Sequence, residues 1–246
     1  MHNLYSYILS KKAKGLKQLA VLIDPDKINY RLIDLSKKNG VDHLLIGGSI
    51  VTESNITICI QEIKKRCSIP VTIFPGSYLQ LSNEADAFLL LSLISGRNPE
   101  LLIGNHVMAA QSLKKSKLEI IPTGYILIDA GESTAVQYIS NTMPIPANKP
   151  EIAVATAIAG ELLGLKLIYL EAGSGALHPV NECIIKSVRK AIDLPIIVGG
   201  GINNSTKVKN ALNAGADMIV IGNALEQNEN HIIEFAEVVH KMNKKL

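Results

Sequence analysis

The stretch Leu167-Ile168-Tyr169-Leu170-Glu171-Ala172-Gly173-Ser174-Gly175 decides the reading of this chain. Its apolar half has the composition of a strand buried on both faces. Its second half is a carboxylate followed by small residues, whose backbone N–H groups stay open to an anion. The same grammar returns twice downstream. Pro195-Ile196-Ile197-Val198 runs into Gly199-Gly200-Gly201, and Met218-Ile219-Val220-Ile221 runs into Gly222-Asn223. A helical pattern follows each loop. Three successive strands ending in glycine-bearing loops are how a phosphate site is assembled at the C-terminal face of a (β/α)8 barrel.

Working outward, the chain carries eight strand-like runs, at 19–23, 43–46, 71–74, 87–91, 124–128, 167–170, 196–198 and 218–221. Apolar residues at three- and four-residue steps predict helices over 28–38, 55–66, 100–114, 152–163, 181–191, 205–214 and 229–242. Asn204-Ser205 and Asn228 read as N-caps, and Gly40, Gly164 and Gly215 as the glycines that end helices. Strand and helix in alternation mean a parallel sheet, and eight units mean closure. The fold class is therefore α/β, a modified (β/α)8 (TIM) barrel, in a single domain over 1–246. Two gaps modify it. Between Phe74 and Ala87 barely ten residues follow Pro75-Gly76-Ser77, so the third helix is predicted to be missing or reduced, leaving an apolar slot on the barrel flank. The segment from Asp129 to Pro150 is long, rich in Pro, Gly, Ser and Thr, and without strong periodicity. It is predicted to be a loop over the active face.

Bulk properties exclude several classes. The 246 residues suit one barrel, and 47% apolar content suits one large core. The net charge of +3 is small and scattered, aromatics are 4%, and Trp is absent, which argues against nucleic-acid binding. The basic clusters Lys11-Lys12-Ala13-Lys14 and 241–245 read as solvated surface. Their sharper reading is a weak, peripheral or transient contact with anionic lipid headgroups. Cys59, Cys67 and Cys183 are odd in number and lack metal-site spacing, which fits a reducing cytoplasm. No run reaches the ~20 residues that span a bilayer, and Lys11 and Lys12 interrupt any signal-peptide core, so a cytoplasmic location is expected.

The chemistry-bearing residues sit at predicted strand ends. Glu171 adjoins the Ala172 to Gly175 loop, so its carboxylate would lie beside a bound phosphate, placed to take a proton from a neighbouring hydroxyl. The alternative is an ion pair with a Lys in the barrel mouth. Leu22-Ile23-Asp24-Pro25-Asp26-Lys27 ends the first strand. Asp24 there, and less strongly Asp26, is either a Mg²⁺ ligand or a cap for the following helix. Ile46-Gly47-Gly48-Ser49 ends the second. Ser49 either joins a magnesium shell or caps a helix. Tyr125 and Tyr169 either present hydroxyls to the same ligand or pack in the core. His43 and His106 read as structural, and His178 as a turn residue.

These residues together match a known pattern. Leu22 to Lys27, Gly47-Gly48-Ser49, Phe74-Pro75-Gly76-Ser77, Tyr169 to Gly175, Gly199-Gly200-Gly201 and Gly222-Asn223-Ala224 occur in the order found in geranylgeranylglyceryl phosphate synthases and the related heptaprenylglyceryl phosphate synthases. The chain resembles that family along essentially its whole length, most specifically in Tyr-Leu-Glu-Ala-Gly-Ser-Gly and Asp-Pro-Asp-Lys. The resemblance implies a prenyltransferase that joins sn-glycerol 1-phosphate to a polyprenyl diphosphate through an ether bond. It implies Mg²⁺ held by Asp24 and Ser49, and Glu171 as base. It implies a glycerol phosphate site of Tyr169, Leu170, Glu171, Ala172, Gly173, Ser174, Gly175, Gly200, Gly201, Gly222 and Asn223, to which Tyr125 is added from the residue reading. It also implies a homo-oligomer, dimer or hexamer. Relatives place a large aromatic near 99–104 that limits chain length. This sequence has Leu101-Leu102 there, and the favoured chain is geranylgeranyl (C20). Two other readings compete: an isomerase or lyase on another phosphate-binding barrel, and a silent barrel that binds phosphometabolites.

Overall fold

Each apolar run becomes a strand whose two faces are both covered, and the strands close on themselves. The computed structural model describes residues 3–48, 55–77 and 80–244. The strands are β1 (Gln18–Ile23), β2 (His43–Ile46), β3 (Val71–Ile73), β4 (Ala87–Leu93), β5 (Glu119–Leu127), β6 (Leu167–Glu171), β7 (Ile196–Gly199) and β8 (Met218–Ile221). They form a closed parallel barrel in sequence order, β8 pairing with β1 through Gln18↔Met218 to Val21↔Ile221. The helices are α1 (Leu4–Ala13), α2 (Tyr30–Lys38), α3 (Ile56–Arg66), α4 (Asn105–Lys115), α5 (Ala135–Ser140), α6 (Pro150–Leu162), α7 (Glu182–Ala191), α8 (Ser205–Ala214), α9 (Asn223–Gln227) and α10 (His231–Asn243).

The two-residue period of a strand sorts side chains between two cores. On β1, Leu19, Val21 and Ile23 pack under the helices, while Ala20 faces the barrel axis. On β6, Ile168 and Leu170 face the helices, and Leu167 and Tyr169 face the axis. Glu171 continues the axial series two residues on, so strand geometry alone aims it into the barrel mouth.

The predicted gap is present. Between β3 and β4 the described residues, 74–77 and 80–86, hold turns and no helix. Where that helix would lie, Phe88 and Leu90 line a slot with Leu101, His106 and Ala109.

Several expectations need correction. Within the Lys11 to Lys14 cluster, Ala13 and Lys14 are exposed as read and Lys11 departs from the solvated-surface reading; the cluster ends α1, which seals the barrel floor. Leu4 and Ile8 join the axial cluster, and the N–H groups of Leu4 and Tyr5 donate to the Glu119 carboxylate. Lys11 Nζ lies 3.5 Å from Asp42 Oδ1. β5 begins at Glu119 rather than 124. Pro122 is tolerated because its carbonyl, and hence its missing N–H, faces β6 just before that strand's pairing starts at Leu167↔Thr123. The predicted helix at 100 opens with a π-turn over Glu100–Gly104 before α4. The 129–149 segment contains the short α5, a helix too brief to show periodicity. The stretch over 229–242 starts later, at α10, and Asn228 is the C-cap of α9 rather than an N-cap. Asn204 is an N-cap as read, accepting from Lys207 N at 3.0 Å.

Candidate active site

The C-terminal ends of β6, β7, β8 and β1 surround one cleft. Tyr125, Tyr169, Glu171, Ser174, Gly175, Gly200, Gly201, Gly222, Asn223 and Asp24 all line it. The chain thus brings together candidates spread over two hundred residues, because adjacent parallel strands end at one rim. Leu170 and Ala172 are not among the lining residues. Their side chains pack under the helices, on the opposite face from Tyr169 and Glu171. Gly173 acts through its backbone, its N–H donating to Glu171 Oε1 at 2.6 Å. Ser49 lies outside the described residues.

Glu171 is 6% exposed. Burial lifts its carboxyl from the ordinary 4.5 to about 7, against the opposing pull of the Gly173 N–H and the hydroxyls of Tyr169 and Tyr125, which donate to it. Among the described residues it takes no Lys partner; the ion-pair alternative is replaced by these three donors. Burial, and then the Glu171 charge, push both tyrosine hydroxyls well above their usual range. The rings of Phe74, Tyr125 and Tyr169 pack around them, with centroids 5.3 Å apart for Phe74–Tyr169 and for Tyr125–Tyr169. Tyr125 reaches the carboxylate from β5, through the register pair Tyr125↔Tyr169.

The glycines have a spatial reason. Gly200 has φ +82°, and a methyl group there would collide with Glu171 Oε1 and stand 2.6 Å from Gly173 N. A methyl at Gly199 would strike the Tyr169 hydroxyl. The backbone N–H groups of Gly175, Gly201 and Asn223 form no hydrogen bond with the described residues, so three donors from three loops stay open at the cleft. Ser174 Oγ donates to Asn223 Oδ1, tying the β6 loop to the β8 loop.

Asp24 caps a 3₁₀ turn over Pro25–Lys27, its Oδ1 accepting from Asp26 N at 3.0 Å. The capping alternative is therefore realised, although at this turn and not at α2, whose cap is Asn29. Asp24 also lines the cleft; Asp26 does not. Among the described residues no group of three or more His, Cys, Asp or Glu could hold a metal ion by itself.

Among the described residues, Gly48, Phe74, Tyr125 and Val136 line both this cleft and the flank slot, so polar and apolar spaces share a seam. Val136 on α5 places the 129–149 segment over the mouth, as expected. His106 sits in the slot with Nε2 2.9 Å from Ser92 Oγ. Sequence reasoning missed Glu226 and Gln227, which line the cleft from α9 and carry no local signal.

The sequence profile of the PcrB family matches residues 12–240. The chain belongs to the PcrB family. Relatives agree along its length. It is 52% identical over 245 residues, covering 98% of this chain and 97% of the other, to a geranylgeranylglyceryl phosphate synthase of Chitinophaga pinensis. It is 41% identical over 224 residues to the enzyme of that name from Thermococcus gammatolerans, covering 89% and 88%. Among solved structures, it is similar to (S)-3-O-geranylgeranylglyceryl phosphate synthase of Thermoplasma acidophilum in complex with its substrate sn-glycerol-1-phosphate. That similarity has TM-score 0.91 and 32% identity over 98% of this chain and all of that one. A thiamine phosphate pyrophosphorylase of Pyrococcus furiosus, at TM-score 0.59 and 11% identity over 93% of this chain and 98% of that one, shares the fold alone. Among the described residues of this PcrB family member, no helix is long and apolar enough to cross a membrane.

Proposed function

We infer that this protein is a prenyltransferase that joins sn-glycerol 1-phosphate to a polyprenyl diphosphate, geranylgeranyl diphosphate by preference, through an ether bond. The observation that carries the reading is the shared seam. An anion cleft with open N–H donors meets an apolar slot, and the Tyr125 ring at the seam reaches the buried carboxyl of Glu171. In this reading the phosphate lies among the N–H groups of Gly175, Gly201 and Asn223, and the prenyl chain lies along Leu91, Leu101 and Ala109. Glu171 accepts the proton of the glycerol 3-hydroxyl. The oxygen attacks the first prenyl carbon, the bond from that carbon to diphosphate breaks, and its electrons leave with diphosphate. A base with a pKa near 7 suits proton transfer at neutral pH. Gly173, Tyr125 and Tyr169 keep the carboxylate aimed.

Magnesium belongs to this reading, with Asp24 and Ser49 as its protein ligands. One carboxylate on the cleft rim fits Mg²⁺, which commonly takes one or two carboxylates and fills its other positions with substrate phosphate and water. Bound there, it would screen the charge growing on the departing diphosphate. A homo-oligomer also belongs to the reading. Exposed Ile103, Val107 and Met108 on the π-turn and α4 are a surface that a second copy would cover, and a monomer in light scattering would remove that part.

The test incubates purified protein with Mg²⁺, radiolabelled sn-glycerol 1-phosphate and prenyl diphosphates of several lengths. Label is expected in the butanol phase, most with C20, and none when sn-glycerol 3-phosphate replaces the substrate. No butanol-extractable label at any chain length would sink the assignment.

A further inference from the structure

The cleft has a charge imbalance. Among the described residues, four ionisable side chains other than tyrosine line it: Asp24, Glu171, Glu226 and Lys27. Three are carboxyls and one is an ammonium, yet on the reading above the cleft receives a phosphate and a diphosphate together. The segments 49–54 and 78–79 contain no Lys, Arg or His in their sequence, so they supply no further cation. The backbone donors of the β6–β8 loops account for one anion. On the reading above, Mg²⁺ at Asp24 would offset part of the other's charge, and a side-chain cation within reach of that carboxylate would offset more of it.

Lys27 stands there. It ends the 3₁₀ turn after β1, and Glu226 lies on α9 after β8, the strand that closes the barrel against β1. Its Nζ is 3.2 Å from Glu226 Oε2 and 3.8 Å from Asp24 Oδ2. Its side chain is 62% exposed, so the ion pair is held in solvent, where such pairs contribute little and exchange readily. Lysine, a flexible point charge, can leave one oxyanion for another without reshaping the turn.

We propose that Lys27 is the side-chain cation that binds the diphosphate of the prenyl substrate, and that Glu226 holds it over the cleft until that substrate arrives. The inference rests on the transferase reading. On binding, the ammonium exchanges the Glu226 carboxylate for diphosphate oxygens, and no covalent bond changes. Glu226 is then a competitor of the substrate for one ammonium, which sets the two residues apart in sign.

The experiment measures inhibition by, and direct calorimetric binding of, inorganic pyrophosphate on the whole protein with Mg²⁺, together with KM for each substrate. Lys27→Gln is expected to weaken pyrophosphate and raise the prenyl diphosphate KM by about tenfold, the size of one charge-assisted hydrogen bond, with the glycerol phosphate KM within about twofold. Lys27→Arg restores most of the loss. Glu226→Gln tightens pyrophosphate binding several-fold. If the pair is only a structural clamp, both variants shift the same quantities in the same direction, and the proposal falls. It falls equally if Lys27→Gln leaves pyrophosphate binding unchanged. Absence of ether product in the unaltered protein would overturn the transferase reading instead, while the calorimetric arm still reports on Lys27.

Discussion

The two ends of the barrel each bury a titratable side chain, and the contrast between them shows what makes one a site. At the mouth, burial lifts the Glu171 carboxyl from 4.5 to about 7. At the floor, burial lowers the His43 imidazole from 6.5 to about 4. The cause is the same, a low-dielectric surrounding that disfavours charge, and the sign differs because one group is an acid and the other a base. His43 is sealed in, its Nε2 2.8 Å from Gln18 Oε1 and its ring edge-on to Tyr7 of α1. Glu171 faces a cleft with open N–H donors. A perturbed pKa thus marks a site only where the group can reach a ligand.

The largest expected effect separates the ends by rate. Glu171→Gln should lower kcat by about 10²–10⁴-fold, the usual worth of a positioned base. His43→Asn should leave kcat within about twofold. Equal losses in the two variants would mean that the mouth has no special role. Steady-state kinetics at pH 8 decide it.

Stability against pH should separate them next, with opposite slopes. Between pH 4.5 and 7 the folded chain keeps a proton on Glu171 that the unfolded chain has released, so this group makes stability fall as pH rises. Between pH 4 and 6.5 the unfolded chain carries a proton on His43 that the folded chain lacks, so this group makes stability rise with pH. Each shift corresponds to about 3 kcal/mol, and in the parent the two largely cancel. Urea denaturation from pH 4 to 8 should show stability rising with pH in Glu171→Gln and falling in His43→Gln. A flat profile in both variants refutes the burial argument.

The floor can also be probed by packing. Ile8→Ala, in a residue 3% exposed, should cost about 2–4 kcal/mol in denaturant melts while both KM values hold, because α1 plugs the end away from the cleft. A raised KM would show that floor and mouth are coupled. The smallest effect is electrostatic. The pH midpoint of kcat/KM should stand near 7 in the parent and move upward, by less than about one unit, in Tyr125→Phe, since the tyrosine hydroxyl favours the charged carboxylate. A midpoint moving downward would remove Tyr125 from its supporting place.

Much of this was legible from neighbouring residues. The strand and helix alternation, the short link after Phe74 that leaves out a helix, and the glycine corners after β6, β7 and β8 all follow from local composition. So does the axial direction of Glu171, two residues beyond Tyr169. The chain by itself therefore determined the barrel and the rim on which its chemistry sits, because backbone period and turn preference act over a few residues. The tertiary structure decided the rest. It chose α1 as the floor, although nothing in Leu4 to Ala13 names Glu119 as its partner. It brought Tyr125 from β5 onto Glu171 and Lys27 onto Glu226, 199 positions away. Such meetings depend on strand register and on closure of β8 against β1, which only the assembled ring fixes.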